Sequence, residues 1–255
     1  MELKAVLTAV NNNMMYWRFI PLFIKVWKLF FPDVLIVIVF VGDELPVELL
    51  PYTEYIRLFK PMFPHISTAY TAQIIRLVYP ALLKVDGAVL ITDMDMLPMK
   101  HSYYVKGLEG QSDNSFILYH NEEISVPPFR EYFICYVAAR PEVWSEVFHI
   151  TDEISIHNFL LEHYDTLYED KHAGIGWGTD QQVLYRVANS LPPTIKLKLW
   201  KDEELGFNRC MNYLDDEDPV MDAILKTPLY SDYHVAAVQN PWNWEDILEI
   251  TKRLP

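Results

Sequence analysis

Val34-Leu35-Ile36-Val37-Ile38-Val39-Phe40-Val41 is an unbroken run of eight apolar residues, most of them β-branched. A run of this length without polar alternation is the pattern of a strand buried on both faces, as in a sheet with helices on either side. Working outward, Ala5–Val10 and Ala88–Thr92 have the same character, and helical patterns lie between them at about Met14–Phe30 and Thr71–Leu83. The order β-α-β-α-β predicts a doubly wound α/β fold, a Rossmann-like central sheet flanked by helices. Ligands of such sheets bind beyond the carboxyl ends of the strands. Asn11-Asn12-Asn13 follows the first of these strands and Asp93-Met94-Asp95 the third, so both polar clusters fall on that edge.

The second half is less regular. Strands are predicted at Phe116–Tyr119 and Phe133–Ala138, and helices near Glu142–Phe148, Ile154–His163 and Asp180–Asn189. Leu214–Pro219 is acidic and reads as a solvated loop. No repeat, low-complexity tract or Gly/Ser linker divides the chain, so residues 1–255 are expected to form one domain.

Composition narrows the function. The 255 residues carry a formal charge of −14 and no basic run, which argues against a nucleic-acid partner, since phosphate backbones need clustered Lys and Arg. An acidic protein that handles phosphates needs a metal. Cys135 and Cys210 sit in no zinc-like spacing and read as free thiols of a reducing compartment. The start, MELKAVLTAV, reads as a strand rather than a secretory signal. The most apolar stretch, Tyr16–Gly42, is interrupted by charges and prolines and is not a transmembrane segment; a buried amphipathic helix fits its aromatic part better than a membrane surface does.

Three segments carry candidate chemistry. In Ile91-Thr92-Asp93-Met94-Asp95-Met96-Leu97-Pro98-Met99 an apolar strand ends in two aspartates one residue apart, whose side chains point the same way in extended backbone. Paired carboxylates make a hard-oxygen site for Mg²⁺ or Mn²⁺, with positions left for water and diphosphate oxygens. The bland reading of such a tripeptide is a surface turn. The second segment is Gly174-Ile175-Gly176-Trp177-Gly178-Thr179-Asp180-Gln181-Gln182, which holds three of the chain's eight glycines. It reads either as a capped helix start or as a loop that lets backbone approach a sugar, with Trp177 as an apolar face and Asp180 or Gln181 beside the reacting carbon. The third is Tyr233-His234-Val235-Ala236-Ala237-Val238-Gln239-Asn240-Pro241-Trp242, where the His234 imidazole is either an ordinary histidine or the ligand that completes a site begun by two aspartates.

Taken in order and spacing, these segments resemble the retaining GT-A glycosyltransferases of the glycogenin and bacterial lipopolysaccharide galactosyltransferase group. The resemblance is loose but covers most of the chain. It implies a GT-A type fold, with residues 1–95 as a nucleotide-binding half and 96–255 as an acceptor-binding half that also brings the C-terminal metal ligand. It implies Mn²⁺ or Mg²⁺ at Asp93, Asp95 and His234, a nucleotide-sugar donor of the UDP class contacting Ala9, Val10, Asn12, Arg76, Asp93, Met94, Asn240 and Trp242, and a carbohydrate acceptor. Catalysis falls to Asp180 and Gln181. Retention places Gln181 beside the anomeric carbon, whereas inversion would make Asp180 the general base. Cys135-Tyr136-Val137-Ala138-Ala139 sits where the group builds part of its acceptor side. Two positions depart from the pattern: Asn240 stands where the group has a lysine for the diphosphate, and Val10 where it often has an acidic residue. In texture the chain also resembles the small glycosyltransferases of large algal DNA viruses, which implies a cytoplasmic location, that of the host if the chain is viral. Two rivals are a nucleotidyl or phosphoryl transferase, which lacks its P-loop here, and a carbohydrate-binding protein without turnover.

Overall fold

The computed structural model describes residues 1–120, 123–126, 129–211, 230–238 and 240–255. The predicted loop Leu214–Pro219 and Gln239 lie outside the described residues. The chain runs through β1 (Leu3–Asn11), α1 (Met14–Trp17), α2 (Ile20–Phe30), β2 (Leu35–Val41), β3 (Ile56–Phe59), α3 (Thr68–Val78), β4 (Ala88–Ile91), β5 (Met96–Pro98) and α4 (His101–Leu108). There follow β6 (Ser115–Leu118), β7 (Glu123–Val126), β8 (Phe129–Tyr132), β9 (Val137–Ala139), α5 (Pro141–Phe148), α6 (Glu153–His163) and α7 (Thr179–Ala188). Next come β10 (Lys196–Leu199), α8 (Asp202–Leu205), β11 (Arg209–Met211), β12 (Asp232–His234) and a helix Trp244–Arg253.

The central sheet has seven strands in the order β10-β6-β9-β4-β1-β2-β3. β4, β1, β2 and β3 are mutually parallel, while β9 runs antiparallel to both β4 and β6, so the sheet is mixed. The apolar runs earn their burial on two faces. Ile36, Ile38 and Phe40 of β2 join one core with α2, and Val37, Val39 and Val41 join the other with α3 and α5. β4 divides in the same way, and so does β1 past the irregularity between Leu3 and Ala5, as a period of two requires.

Several boundaries differ from the sequence reading. The expected single helix Met14–Phe30 is two: Pro21, with no N–H and no room for the carbonyl four residues back, restarts the helix as α2. Pro80 likewise ends α3 and turns the rest of the expected helix into a 3-10 turn, Tyr79–Leu82. The expected strand Phe133–Ala138 begins after the β7–β8 hairpin has ended and holds four residues without strand before the start of β9. Of these, Phe133, Ile134 and Cys135 line a cavity.

A second, three-stranded sheet has the order β11-β12-β5. β5 continues the chain directly from Asp95, and β12 pairs antiparallel with it so that His234 lies opposite Met96. This register is what brings the far C-terminal segment to the end of β4.

Ile38 is fully buried at the centre of β2, and truncation to alanine leaves a hole that the parallel neighbours cannot close. Ile38→Ala is expected to lower stability by about 2–5 kcal/mol in urea-induced unfolding, with the m-value unchanged.

Candidate active site

A cavity of about 490 Å³ opens where the carboxyl ends of β1 and β4 meet the small sheet and the start of α7. Ala9, Val10 and Asn11 from β1, Arg76 from α3, Asp93 to Met96 after β4, Asp180 and Gln181 from α7, and His234 from β12 all line it. The three motif segments, far apart in sequence, therefore face one space.

Arg76 organises one wall. It projects from the last turn of α3, and its Nη2 donates to Asp180 Oδ2 at 2.7 Å while its Nη1 pairs with Asp93 Oδ1. Asp180 is 2% exposed and its Oδ1 also accepts from the Gln181 amide at 2.8 Å. Burial pushes the Asp180 carboxyl above the usual carboxylate range; the charge and hydrogen bond of Arg76 only partly offset this. Asp180 stands in the first turn of α7, whose N-cap is Gly178. Gly178 has a spatial reason: a Cβ there would lie 2.8 Å from the Glu131 carboxylate. Gly176 has a conformational one, at φ 76°. Thr179 does not cap the helix; its hydroxyl donates to the Gly176 carbonyl at 2.7 Å.

The opposite wall is built on Asp95. Its Oδ2 accepts from the Ala237 amide at 2.9 Å and stands 3.5 Å from His234 Nε2. Burial raises the Asp95 carboxyl, but the His234 bond and charge, with the Ala237 amide, outweigh it and hold the group below the usual carboxylate range. The turn that delivers the Ala237 amide is strained: Ala236 sits at φ 52°, a left-handed conformation disfavoured for a residue with a Cβ. Strain of this kind collects where a loop is shaped for a ligand.

The implied metal can be tested against these donors. Asp95 and His234 form an O/N pair in the cavity, while Asp93 turns to Arg76. Among the described residues no three His, Cys, Asp or Glu side chains come together to hold an ion. A pair suffices where a ligand's own phosphate oxygens supply further positions, the usual habit of Mg²⁺ at nucleotides. The donor set thus fits a metal bound together with a diphosphate.

The other expected contacts divide. Met94 and Trp177 line the cavity. Asn12 does not: β1 ends at Asn11, whose Nδ2 donates to Thr68 Oγ1 at 3.1 Å, and Asn12 beyond it is exposed. Asn240 and Trp242 are also not part of the lining. The Asn240 side chain is spent inside its own turn, accepting from the Trp242 amide at 2.8 Å and donating to the Val235 carbonyl at 3.4 Å. Arg18 pins the same turn, donating to the carbonyls of Ala237 and Asn240. Both cysteines are free; Cys135 is buried on the cavity wall. Sequence reasoning missed Tyr16 and Arg209, which also line the cavity. No described helix is long and apolar enough to cross a membrane.

No protein-family model matches the chain, and no curated protein matches its sequence. The fold is nonetheless shared. A structure of galactosyltransferase LgtC in complex with donor and acceptor sugar analogues superposes with a TM-score of 0.51 at 14% identity, over 98% of this chain and 96% of that one. Glycosyltransferase GlyE of Streptococcus pneumoniae TIGR4 gives 0.52 at 14% identity, over 98% of this chain and 60% of that one. A glycosyltransferase involved in the glycosylation of the major capsid of PBCV-1 gives 0.48 at 9% identity, over 98% and 99%, too slight a likeness to argue from. The chain has the GT-A fold that its motifs led one to expect.

Removing Arg76 leaves Asp93 and Asp180 without their counter-charge in a largely dry wall. Arg76→Met is expected to cost about 3–5 kcal/mol at pH 7. Because it drives the already raised Asp180 carboxyl higher still, the folded variant takes up a proton that the unfolded chain releases above its ordinary pKa, so the loss shrinks as the pH falls toward 4. Parallel chemical denaturation at the two pH values checks both the size and the sign.

Proposed function

We propose that this chain, whose fold is that of the glycosyltransferases above, moves a sugar from a nucleotide diphosphate of the UDP class to a carbohydrate acceptor, with a divalent cation and with retention of configuration. The observation that carries the reading is the meeting, in one cavity at the strand ends, of the Asp95–His234 pair and the Arg76–Asp180 wall. Sugar transfer from an activated donor needs both halves, one for the departing diphosphate and one for the sugar. We place the nucleotide against the β1–β4 half, at Ala9, Val10 and Asn11, and the acceptor against the segments that follow Asp95. Two free thiols fit a cytoplasmic setting.

Asp95 and His234 would hold the cation, Mn²⁺ or Mg²⁺, which when bound offsets the negative charge that grows on the nucleotide as the glycosidic bond breaks. Arg76 holds Asp180 and Asp93 in fixed positions. Asp180, buried and already accepting from Arg76 and the Gln181 amide, is poorly placed to take a proton from an acceptor and better suited to orient sugar hydroxyls. Gln181 lines the cavity with a neutral amide that can face the anomeric carbon without quenching positive charge there. This supports retention over the inverting alternative, which would require Asp180 as base. A sugar-binding protein without turnover remains the second reading and has no use for Asp95 and His234 side by side.

Thermal unfolding with nucleoside diphosphates, each with and without Mn²⁺, separates the readings. A ligand at 100 times its Kd stabilises by about 2.7 kcal/mol, so UDP with Mn²⁺ is expected to raise the melting temperature and UDP alone far less. Asp95→Ala should abolish the metal-dependent part. A shift with free oligosaccharides and none with any nucleotide would sink the transferase reading.

A further inference from the structure

One cation of the cavity has no part in the reaction as described above. Arg209, at the start of β11, lines the same space, and sequence reasoning passed it over because it lies in no motif. It is held with unusual care. Parallel pairing of β11 with β12 sets it beside Asp232, which is fully buried. Nε lies 3.1 Å from both oxygens of that carboxylate and Nη2 lies 2.7 Å from Oδ2, while the Tyr136 hydroxyl donates to Oδ2 at 2.7 Å. The guanidinium also lies 5.1 Å from the ring centre of Phe207.

A buried ion pair is a poor stabiliser, and apolar side chains of like size usually serve a core as well. What this pair achieves is orientation. The inner edge of the guanidinium is locked on Asp232, and the remaining contacts of Nη2 are two sulfur atoms, Met96 Sδ at 3.5 Å and Cys135 Sγ at 3.8 Å. Sulfur is a weak acceptor, so the outer edge of the fork keeps unspent N–H donors. Met96 follows Asp95 in the chain, and Cys135 feels the charges of both Arg209 and Arg76. Arg209 thus reaches the cavity beside Met96 and Cys135, which line it together with Asp95 and Asp180, and a sugar attached to a diphosphate held in that cavity shares the space.

We propose that Arg209 is a specificity residue for the transferred sugar, donating from the outer edge of its guanidinium to hydroxyls of a neutral hexose ring. This deepens the functional reading above and rests on it. Neutrality follows from the charges around the site: four carboxylates, Asp93, Asp95, Asp180 and Asp232, stand against two guanidinium groups, each already paired, and the charge of the proposed cation is offset by the diphosphate it would bind. A sugar carrying its own acid would add an anion where negative charge is in excess, whereas hydroxyls need donors and no net charge.

The test compares the wild type with Arg209→Met and with Arg209→Met/Asp232→Asn, the double variant because the single one strands a buried carboxylate and is expected to melt early. Calorimetry measures binding of UDP with Mn²⁺; acceptor-free hydrolysis is followed for UDP-glucose, UDP-galactose, their N-acetyl forms and UDP-glucuronic acid, then for deoxy forms of the best substrate. The double variant should bind UDP with Mn²⁺ within about twofold of wild type and lose about 10- to 100-fold in kcat/KM for the neutral donor. At least one deoxygenation that handicaps the wild type should cost the variant nothing. Unchanged kcat/KM and unchanged deoxy penalties would make the pair purely structural and overturn the inference. So would an equal loss of UDP affinity, which puts Arg209 on the diphosphate, or a wild-type preference for the glucuronic acid donor. Failure of the wild type to bind UDP with Mn²⁺ is a different result: it fells the transferase reading itself, and this inference with it.

Discussion

The double attachment of Arg76 is the interaction on which the rest of the site depends. One guanidinium, carried by the last turn of α3, holds the carboxylate that follows β4 and the carboxylate that opens α7. Those elements lie on different parts of the sheet and reach the cavity from different sides. Without the bridge, Asp93 and Asp180 would repel each other and Asp180 would be a buried charge with no partner. With it, the start of α7 is fixed against α3, and the residues beside it, Gln181 and Trp177, acquire definite positions. Gln73, one turn earlier on α3, strengthens the same junction by donating to the Trp177 carbonyl at 3.2 Å.

A second constraint is one of register. β5 is only three residues long, yet its pairing with β12 sets His234 opposite Met96 and so beside Asp95. A slip of one residue would turn the imidazole to the other face. The turn after β12 is then shaped to the same end: Ala236 accepts a disfavoured backbone so that the Ala237 amide can reach Asp95, and Asn240 and Arg18 hold the turn from behind. Asn240 is thus part of the scaffold of this turn.

The sheet was legible because burial on both faces writes itself as unbroken apolar runs, and β1, β2 and β4 lie where Ala5–Val10, Val34–Val41 and Ala88–Thr92 stand. Asp93 and Asp95 were legible as cavity residues because a polar cluster directly after such a strand falls on the binding edge, whereas Asp180 and His234 stood out only through their own segments. The short strands of the sheet edge and of the small sheet were not legible. β3, β5, β11 and β12 have three or four residues each and are held by pairing rather than by pattern, so nothing periodic marks them. Arg209 escaped for the same reason, since its partner Asp232 is defined by the β11–β12 register and not by spacing. Asn12 was expected at the cavity, but β1 ends at Asn11 and it is Ala9, Val10 and Asn11 that line it.

The charge of the whole chain and the chemistry of the cavity meet in one argument. A protein with a formal charge of −14 that binds a diphosphate must find positive charge close to it. Among the described residues that line the cavity the arginines are Arg76 and Arg209, and no lysine joins them. Both guanidiniums face buried carboxylates at 2.7 Å, so little of their charge is left to attract an anion. On the proposed function their work is positional: Arg76 would set the acid and amide beside the reacting carbon, and Arg209 would set donors beside the ring. Attraction for the phosphates then falls to the Asp95–His234 pair acting through a divalent ion. On this reading, dependence on the metal follows from committing every arginine of the cavity to geometry.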